Sequence, residues 1–259
     1  MLGMEWAPVA GALVGLVVGM TGVGGGALMA PILLMGFGVD LVTVVATDLL
    51  FATLTKLVAT GVHSRSNRVD WQVARRLWLG SIPATLLVML GVSAGLLYSA
   101  PWITQLLGAL ILFSGLSLLF GSKIQLYQRV KRINAPERFK HFQAPATIGS
   151  GFILGSLVSL TSIGAGALGA IMLRALYPLR MEPKRLVATD TIHAVPVSLL
   201  AGLGYLAMGE TDLKLLGLLL LGSVPAVILG CRLLNVVSAD SIKKGLAIAL
   251  ILASLKVIF

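Results

Sequence analysis

Residues 15–30 read GLVVGMTGVGGGALMA, and residues 155–170 read GSLVSLTSIGAGALGA. Aligned, Thr21 meets Thr161, Gly24 meets Gly164 and Gly26 meets Gly166. Outward from this pair the same order continues. Val45-Ala46-Thr47-Asp48 recurs as Val187-Ala188-Thr189-Asp190, and Leu79-Gly80-Ser81-Ile82-Pro83-Ala84 recurs as Leu221-Gly222-Ser223-Val224-Pro225-Ala226. Asp70 matches Asp212. Only a two-residue slip separates the first block from the others. Chance does not place such blocks in one order, so the chain reads as two copies of one unit. The first repeat is 1–121, a basic polar connector is 122–145, and the second repeat is 146–259.

Composition gives the solvent. Hydrophobic residues fill 57% of 259 positions and only 12% are charged, against about 25% charged in a soluble domain. Apolar runs recur at 8–36, 41–62, 71–98, 102–121, 146–173, 183–208, 213–234 and 241–259. About 20 apolar residues span a bilayer as a helix. An outer-membrane barrel would instead alternate apolar and polar residues over shorter segments. The expected fold is therefore an all-α, polytopic membrane helical bundle. The start, MLGMEWAPVA, lacks the basic opening of a signal sequence, so the first apolar run is expected to stay in the mature fold. The net charge of +10 does not call for nucleic acid, because the basic residues lie between apolar runs, as in cytoplasmic loops. Cys231 is the only cysteine, and His63, His141 and His193 are scattered, so no metal-ligand spacing arises. No metal, cofactor or nucleic-acid partner is expected.

The basic clusters also speak to topology. They fall at Arg65–Arg76, Lys123–Lys140, Arg174–Arg185 and Arg232–Lys244. Eight full crossings would divide them between the two faces. If 8–36 and 146–173 are instead re-entrant hairpins that turn back at their glycines, all four clusters share one face. The positive-inside rule favours that arrangement. It leaves three full crossings per half and makes the repeats inverted, as in many secondary transporters. Eight parallel-repeat crossings are the alternative.

Residues 22–27, GVGGGA, match the dinucleotide pattern G-x-G-x-x-A, but that pattern needs a strand before it and a soluble βαβ unit around it. A membrane helix precedes it here. Glycines instead let a backbone leave helical geometry, and a new helix is expected to start near Ala27 and again near Ala167. Free N–H groups at such starts attract anions. The candidate substrate-binding set is Thr21, Gly22, Gly24, Gly25, Gly26, Thr161, Ser162, Gly164 and Gly166. Gly11, Gly15 and Gly19, four residues apart, are expected to serve close helix packing.

Asp48 and Asp190 are ionisable groups inside spans, which marks them as candidates for function. Carrying protons and orienting a neighbouring glycine loop are the two roles open to them. His193 stands one turn from Asp190, so the two can share a face and relay protons; the plainer alternative is a hydrogen-bonded interior histidine. Lys56 follows Asp48 by eight residues on the same helix face. It either attracts the anion or, as the expectation here, snorkels its ammonium to the interface. Pro83, Pro196 and Pro225 interrupt spans and are expected to bend them. No serine–histidine–acid order or phosphate loop is present, so no enzyme and no ATP coupling is expected.

The blocks TGVGGGALMAPIL, VATDLLFATLTKLVATGVHSRSNRVDW, VATDTIHAVPVSLLAGLGYL and LLGSVPAVILGCRLL, taken in that order, resemble the sulfite exporter TauE/SafE family of membrane permeases over nearly the whole chain. The resemblance implies a secondary transporter in a bacterial-type inner membrane, exporting sulfite, a sulfonate or a related sulfur oxyanion. The implied partners are the lipid bilayer, a small anionic substrate, and protons or another coupling ion. The rival readings are a passive anion channel and a non-transporting membrane subunit of a sulfur-metabolism system. After the shared Thr-Asp the halves diverge: His193 and Pro196 stand where the first half has Phe51 and Leu54.

Overall fold

The computed structural model describes residues 3–21, 26–63, 69–96, 102–133, 140–163, 166–233 and 239–258. Its helices are α1 (Ala7–Thr21), α2 (Gly26–Pro31), α3 (Leu41–His63), α4 (Trp71–Ser93), α5 (Trp102–Ile133), α6 (Lys140–Thr161), α7 (Ala167–Leu176), α8 (Pro183–Ala207), α9 (Leu213–Leu233) and α10 (Ala239–Ile258). A π-helical turn, Ile32–Phe37, continues α2. No strand occurs among the described residues. Five helices are long and apolar enough to cross a bilayer: Leu41–Gly61, Trp71–Ser93, Phe142–Thr161, Lys184–Ala207 and Leu213–Leu233. Shorter apolar helices accompany them at Met4–Met20, Leu28–Phe37, Trp102–Ser117 and Ala247–Val257.

The run 146–173 is not a single helix: α6 ends at Thr161 and α7 starts at Ala167. In the run 8–36, α1 ends at Thr21 and α2 is described from Gly26, with 22–25 outside the described residues. The polar stretch 122–145 is helical at 122–133, as the tail of α5, and at 140–145, as the start of α6.

Helix starts follow the local chemistry. Asp40 Oδ2 accepts from Thr43 N at 3.1 Å and opens α3. Asp70 Oδ1 accepts from Val73 N at 3.4 Å and Asp212 Oδ1 from Leu215 N at 2.9 Å, capping α4 and α9. Each satisfies an N–H that the helix cannot. Pro183 opens α8, where a missing N–H costs nothing.

Glycines then bring helices together. Gly11, Gly15 and Gly19 of α1 lie against the carbonyl oxygens of Leu219, Ser223 and Val227 in α9. A methyl group at any of them would collide with backbone. The contacts advance together along both helices, so α1 and α9 run parallel. In α6, Gly151 and Gly155 meet the carbonyls of Leu77 and Ser81 in α4, and Gly80 of α4 meets that of Ile148. This pair is parallel too. In a bilayer, where lipid is as apolar as leucine, such small-residue seams are what hold helices together.

Helix α3 sits at the centre. Val44, Val45, Ala46, Leu49 and Phe51 are wholly buried. It crosses α8 in the opposite sense: the Thr53 and Ser198 hydroxyls lie 2.8 Å apart, and earlier in α3 Leu50 packs on Gly202, later in α8. Helix α4 runs with α8, since Trp78 Nε1 donates to His193 O at 3.2 Å and Met89 packs on Gly204. Two hydrogen bonds tie the ends. Asp70 N donates to Thr189 Oγ1 at 3.0 Å, and Asp212 N donates to Thr47 Oγ1 at 3.3 Å.

Candidate functional site

Where α3, α4, α8 and the α6–α7 turn meet, the interior is polar. Asp48 and Lys56 come from α3, Asp190 and His193 from α8, Ser81 from α4 and Ser162 from the turn. All six are buried, Asp48 and Ser81 completely and Asp190 to within 6% exposure. A charged group out of water costs several kcal/mol unless it is paired and hydrogen-bonded, so each contact here has to be accounted for.

Ser162 Oγ donates to Asp48 Oδ2 at 2.7 Å. Ser162 has φ of 58°, the one non-glycine in the left-handed region among the described residues. That conformation is uncommon outside glycine and concentrates at functional sites. The turn therefore holds strain and aims its hydroxyl at an acid of the other half. Asp190 is set differently. Its Oδ1 lies against Gly169 in the first turn of α7, where a methyl group would strike it. Gly166, at φ 123°, lets the chain swing into that turn. His193 Nε2 lies 3.0 Å from Ser81 Oγ. Lys56 is 5% exposed and interacts electrostatically with both Asp190 and Asp48 and with His193.

Three buried polar atoms in this cluster have no hydrogen-bond partner among the described residues: Asp48 Oδ1, Asp190 Oδ1 and His193 Nδ1. Buried polar atoms are nearly always satisfied. Unmet ones, in a cluster that also buries a lysine, are where something polar could bind. No group of acids, histidines or cysteines among the described residues has metal-holding geometry.

Two expectations are corrected. Lys56 does not snorkel to an interface: it lies on the covered side of α3, 5% exposed, while Leu54 and Leu57 beside it are open. His193 does not pair with Asp190: its Nε2 meets Ser81 Oγ, and its Nδ1 and Asp190 Oδ1 have no partner among the described residues. Asp48 is held from the second half of the chain, by Ser162 in the turn after α6.

The other candidate residues are placed as follows. Thr161 Oγ1 donates to Leu157 O at 2.7 Å and accepts from Ile163 N at 3.2 Å, so it serves the end of α6. Thr21 closes α1 and Gly26 opens α2. Gly22, Gly24, Gly25 and Gly164 lie outside the described residues. Ser81 escaped the sequence reading. Its signal was the Ser-Ile-Pro block, which had been read only as a bend.

At one end of the molecule, Arg180 Nη2 donates to Asp70 Oδ1 at 2.8 Å and Arg180 Nη1 to Gln72 Oε1 at 2.9 Å. Arg185 Nη2 lies 3.7 Å from Asp70 Oδ2, and Arg76 Nη1 donates to Tyr177 Oη at 3.2 Å. These contacts fasten the α7–α8 loop to the start of α4.

Known proteins resemble the chain along most of its length. A family model described as Sulfite exporter TauE/SafE matches residues 7–257. The "Probable membrane transporter protein YjnA" of Bacillus subtilis (strain 168) is 31% identical over 217 residues, covering 79% of this chain and 80% of that protein. No solved structure matches.

Proposed function

This chain belongs to the sulfite exporter TauE/SafE family, and we propose that it works as a secondary transporter exporting a small sulfur oxyanion, sulfite or a sulfonate. It is a multi-pass membrane protein of a transporter family, and we assign it to a bacterial-type inner membrane. The anion is held by backbone N–H groups at the starts of α2 and α7, near Ala27 and Ala167, with Thr21, Thr161 and the glycines around them shaping the space. One observation carries the reading: the buried cluster of Asp48, Lys56, Asp190 and His193, with three polar atoms lacking partners, where the two halves meet. A membrane anchor has no use for such a cluster, because an apolar core is more stable than a half-satisfied polar one.

The halves are read as inverted repeats. In support, matched helices α3 and α8 cross in opposite senses, while α1 runs with α9 and α6 with α4. With α2 and α7 as the returning arms of re-entrant hairpins, all four basic clusters fall on one face, the cytoplasmic one. Both termini then face the periplasm. A reporter fused after Phe259 that is active only in the cytoplasm would refute this arrangement and restore eight crossings.

Function is tested by uptake into proteoliposomes holding the purified protein, with sulfite, thiosulfate, sulfate and methanesulfonate compared side by side. Saturable counterflow of sulfite or the sulfonate is expected. Conductance without saturation would make the protein a channel. No movement of any of the four would overturn the reading.

A further inference from the structure

We propose that the Asp48–Lys56–Asp190 cluster makes the cycle electroneutral, so that each singly charged anion crosses together with one proton. This rests on the transporter reading above and specifies its coupling. The argument is a charge count in a place where net charge is costly. Two carboxylates and one ammonium are buried together, and Lys56 interacts electrostatically with both acids.

Among the described residues, the elements around the cluster bring few other charges, and α8 itself has only Lys184 and Arg185, in its first turn. Helix α1 has none. Helix α4 has none beyond Arg76, and α6 none after Lys140. Helix α9 has none between Lys214 and Arg232, and α7 carries only Arg174, in its last turn. His193 is occupied with Ser81 at Nε2.

With both acids ionised the cluster carries one net negative charge, which is costly in a dry interior and repels an incoming anion. One proton on either carboxylate makes the empty site neutral. Now let a monoanion enter. Neutrality returns only if the second carboxylate also takes a proton, leaving Lys56 and the anion as the charged pair. The geometry supplies the place for both steps. Asp48 Oδ1 and Asp190 Oδ1 are the atoms without partners. Protonated, each becomes a hydrogen-bond donor, which an oxyanion accepts and an ionised carboxylate cannot provide. The Asp190 carboxylate also lies against the first turn of α7, near where the N–H groups would hold the cargo. Anion and ionised Asp190 therefore compete, and protonation ends the competition. A dianion would leave the loaded site charged, so the cluster selects singly charged sulfur oxyanions over sulfate.

The test uses the intact protein in proteoliposomes, with protein-free vesicles as the control. The probe is whichever of two singly charged anions, hydrogen sulfite or methanesulfonate, the vesicles take up. An internal pH dye records protons while a potassium gradient with valinomycin sets the voltage. The expected result is one proton per anion, uptake driven by an acid exterior, and no response to voltage of either sign. By the same count each single variant, Asp190→Asn or Asp48→Asn, keeps one carboxylate to balance Lys56 and should still move one proton per anion. The double variant Asp48→Asn/Asp190→Asn has no carboxyl proton left to exchange; if it folds, it should carry charge, with accumulation shifting about fiftyfold per 100 mV and without proton flux. Anion uptake by the parent protein that follows voltage with no proton movement would overturn this inference and leave the transporter reading standing. If no anion moves, both fall together.

Discussion

Helices α4 and α9 begin alike and end up in different company. Each is capped by an aspartate, Asp70 or Asp212, and each aspartate's N–H donates to a threonine in the other half, Thr189 or Thr47. Asp70 is then gripped by Arg180 and Arg185, while Asp212 has no ion pair among the described residues. The same contrast runs inward. By the register that matches Asp48 to Asp190, Ser81 corresponds to Ser223, Phe51 to His193, and Lys56 to Ser198. Ser81 meets His193; Ser223 Oγ has no partner among the described residues, and the phenyl ring at 51 could not give one. Ser198 bonds Thr53 where Lys56 faces two acids. Contacts that build the fold, and the two buried acids Asp48 and Asp190, are thus duplicated, while Lys56 and His193 are placed once. Packing is indifferent to which half a residue belongs to, whereas a site for one small ion needs one cation, not two.

The sharpest way to break the comparison is Lys56→Met. Removing one partner from a buried charged set costs about 3–5 kcal/mol, because the others lose their compensation. Transport should fall to background and the thermal midpoint in detergent should drop. Had the ammonium reached the interface, both would barely change. Next comes the serine pair. Ser81→Ala leaves the His193 ring without its one hydrogen bond among the described residues and should cost about 1–3 kcal/mol. Ser223→Ala removes an unpartnered hydroxyl and should be neutral or mildly stabilising. Equal losses from the two variants, measured by thermal unfolding, would erase the asymmetry. The smallest effect belongs to the outer arginine. Arg180 is 41% exposed, and Arg185 remains nearby, so Arg180→Ala should cost roughly 1 kcal/mol. That stabilisation should weaken further in high salt, and the stability of an Asp212→Asn variant should show no such salt response.

Much of the frame was legible before any coordinates. Gly11, Gly15 and Gly19 announced close packing by spacing alone, since only small residues allow carbonyls to approach that nearly. The break before Ala167 was legible because glycines cluster there, and Asp48 and Asp190 stood out because acids are rare in spans. The partners were not legible. Periodicity reports the faces of one helix and says nothing about which distant turn will meet them, so Ser162 as the donor to Asp48 could not be read from the chain. Lys56 misled for a related reason. Its count from the end of the apolar run suits snorkelling, but that count does not say which side of α3 is covered, and Lys56 is on the covered one while Leu54 and Leu57 are open. His193 looked like a partner for Asp190 by spacing, yet a nearer hydroxyl on α4 took the ring.

The seam between α1 and α9 has a consequence for biosynthesis. α1 ends at Thr21 and α9 begins at Leu213, so the carbonyls that receive Gly11, Gly15 and Gly19 do not exist when α1 leaves the ribosome. At about 5–20 residues per second, the wait is on the order of 10–40 s. During that interval the first helix must be parked against lipid or a membrane chaperone, its glycine face uncovered. Helix α4 waits too, though less long, for α6. The halves therefore cannot mature one after the other as independent units: the chain closes only when its last third arrives to clasp its first twenty residues, and a truncation after α8 should be recognised by the cell's quality control as unfinished.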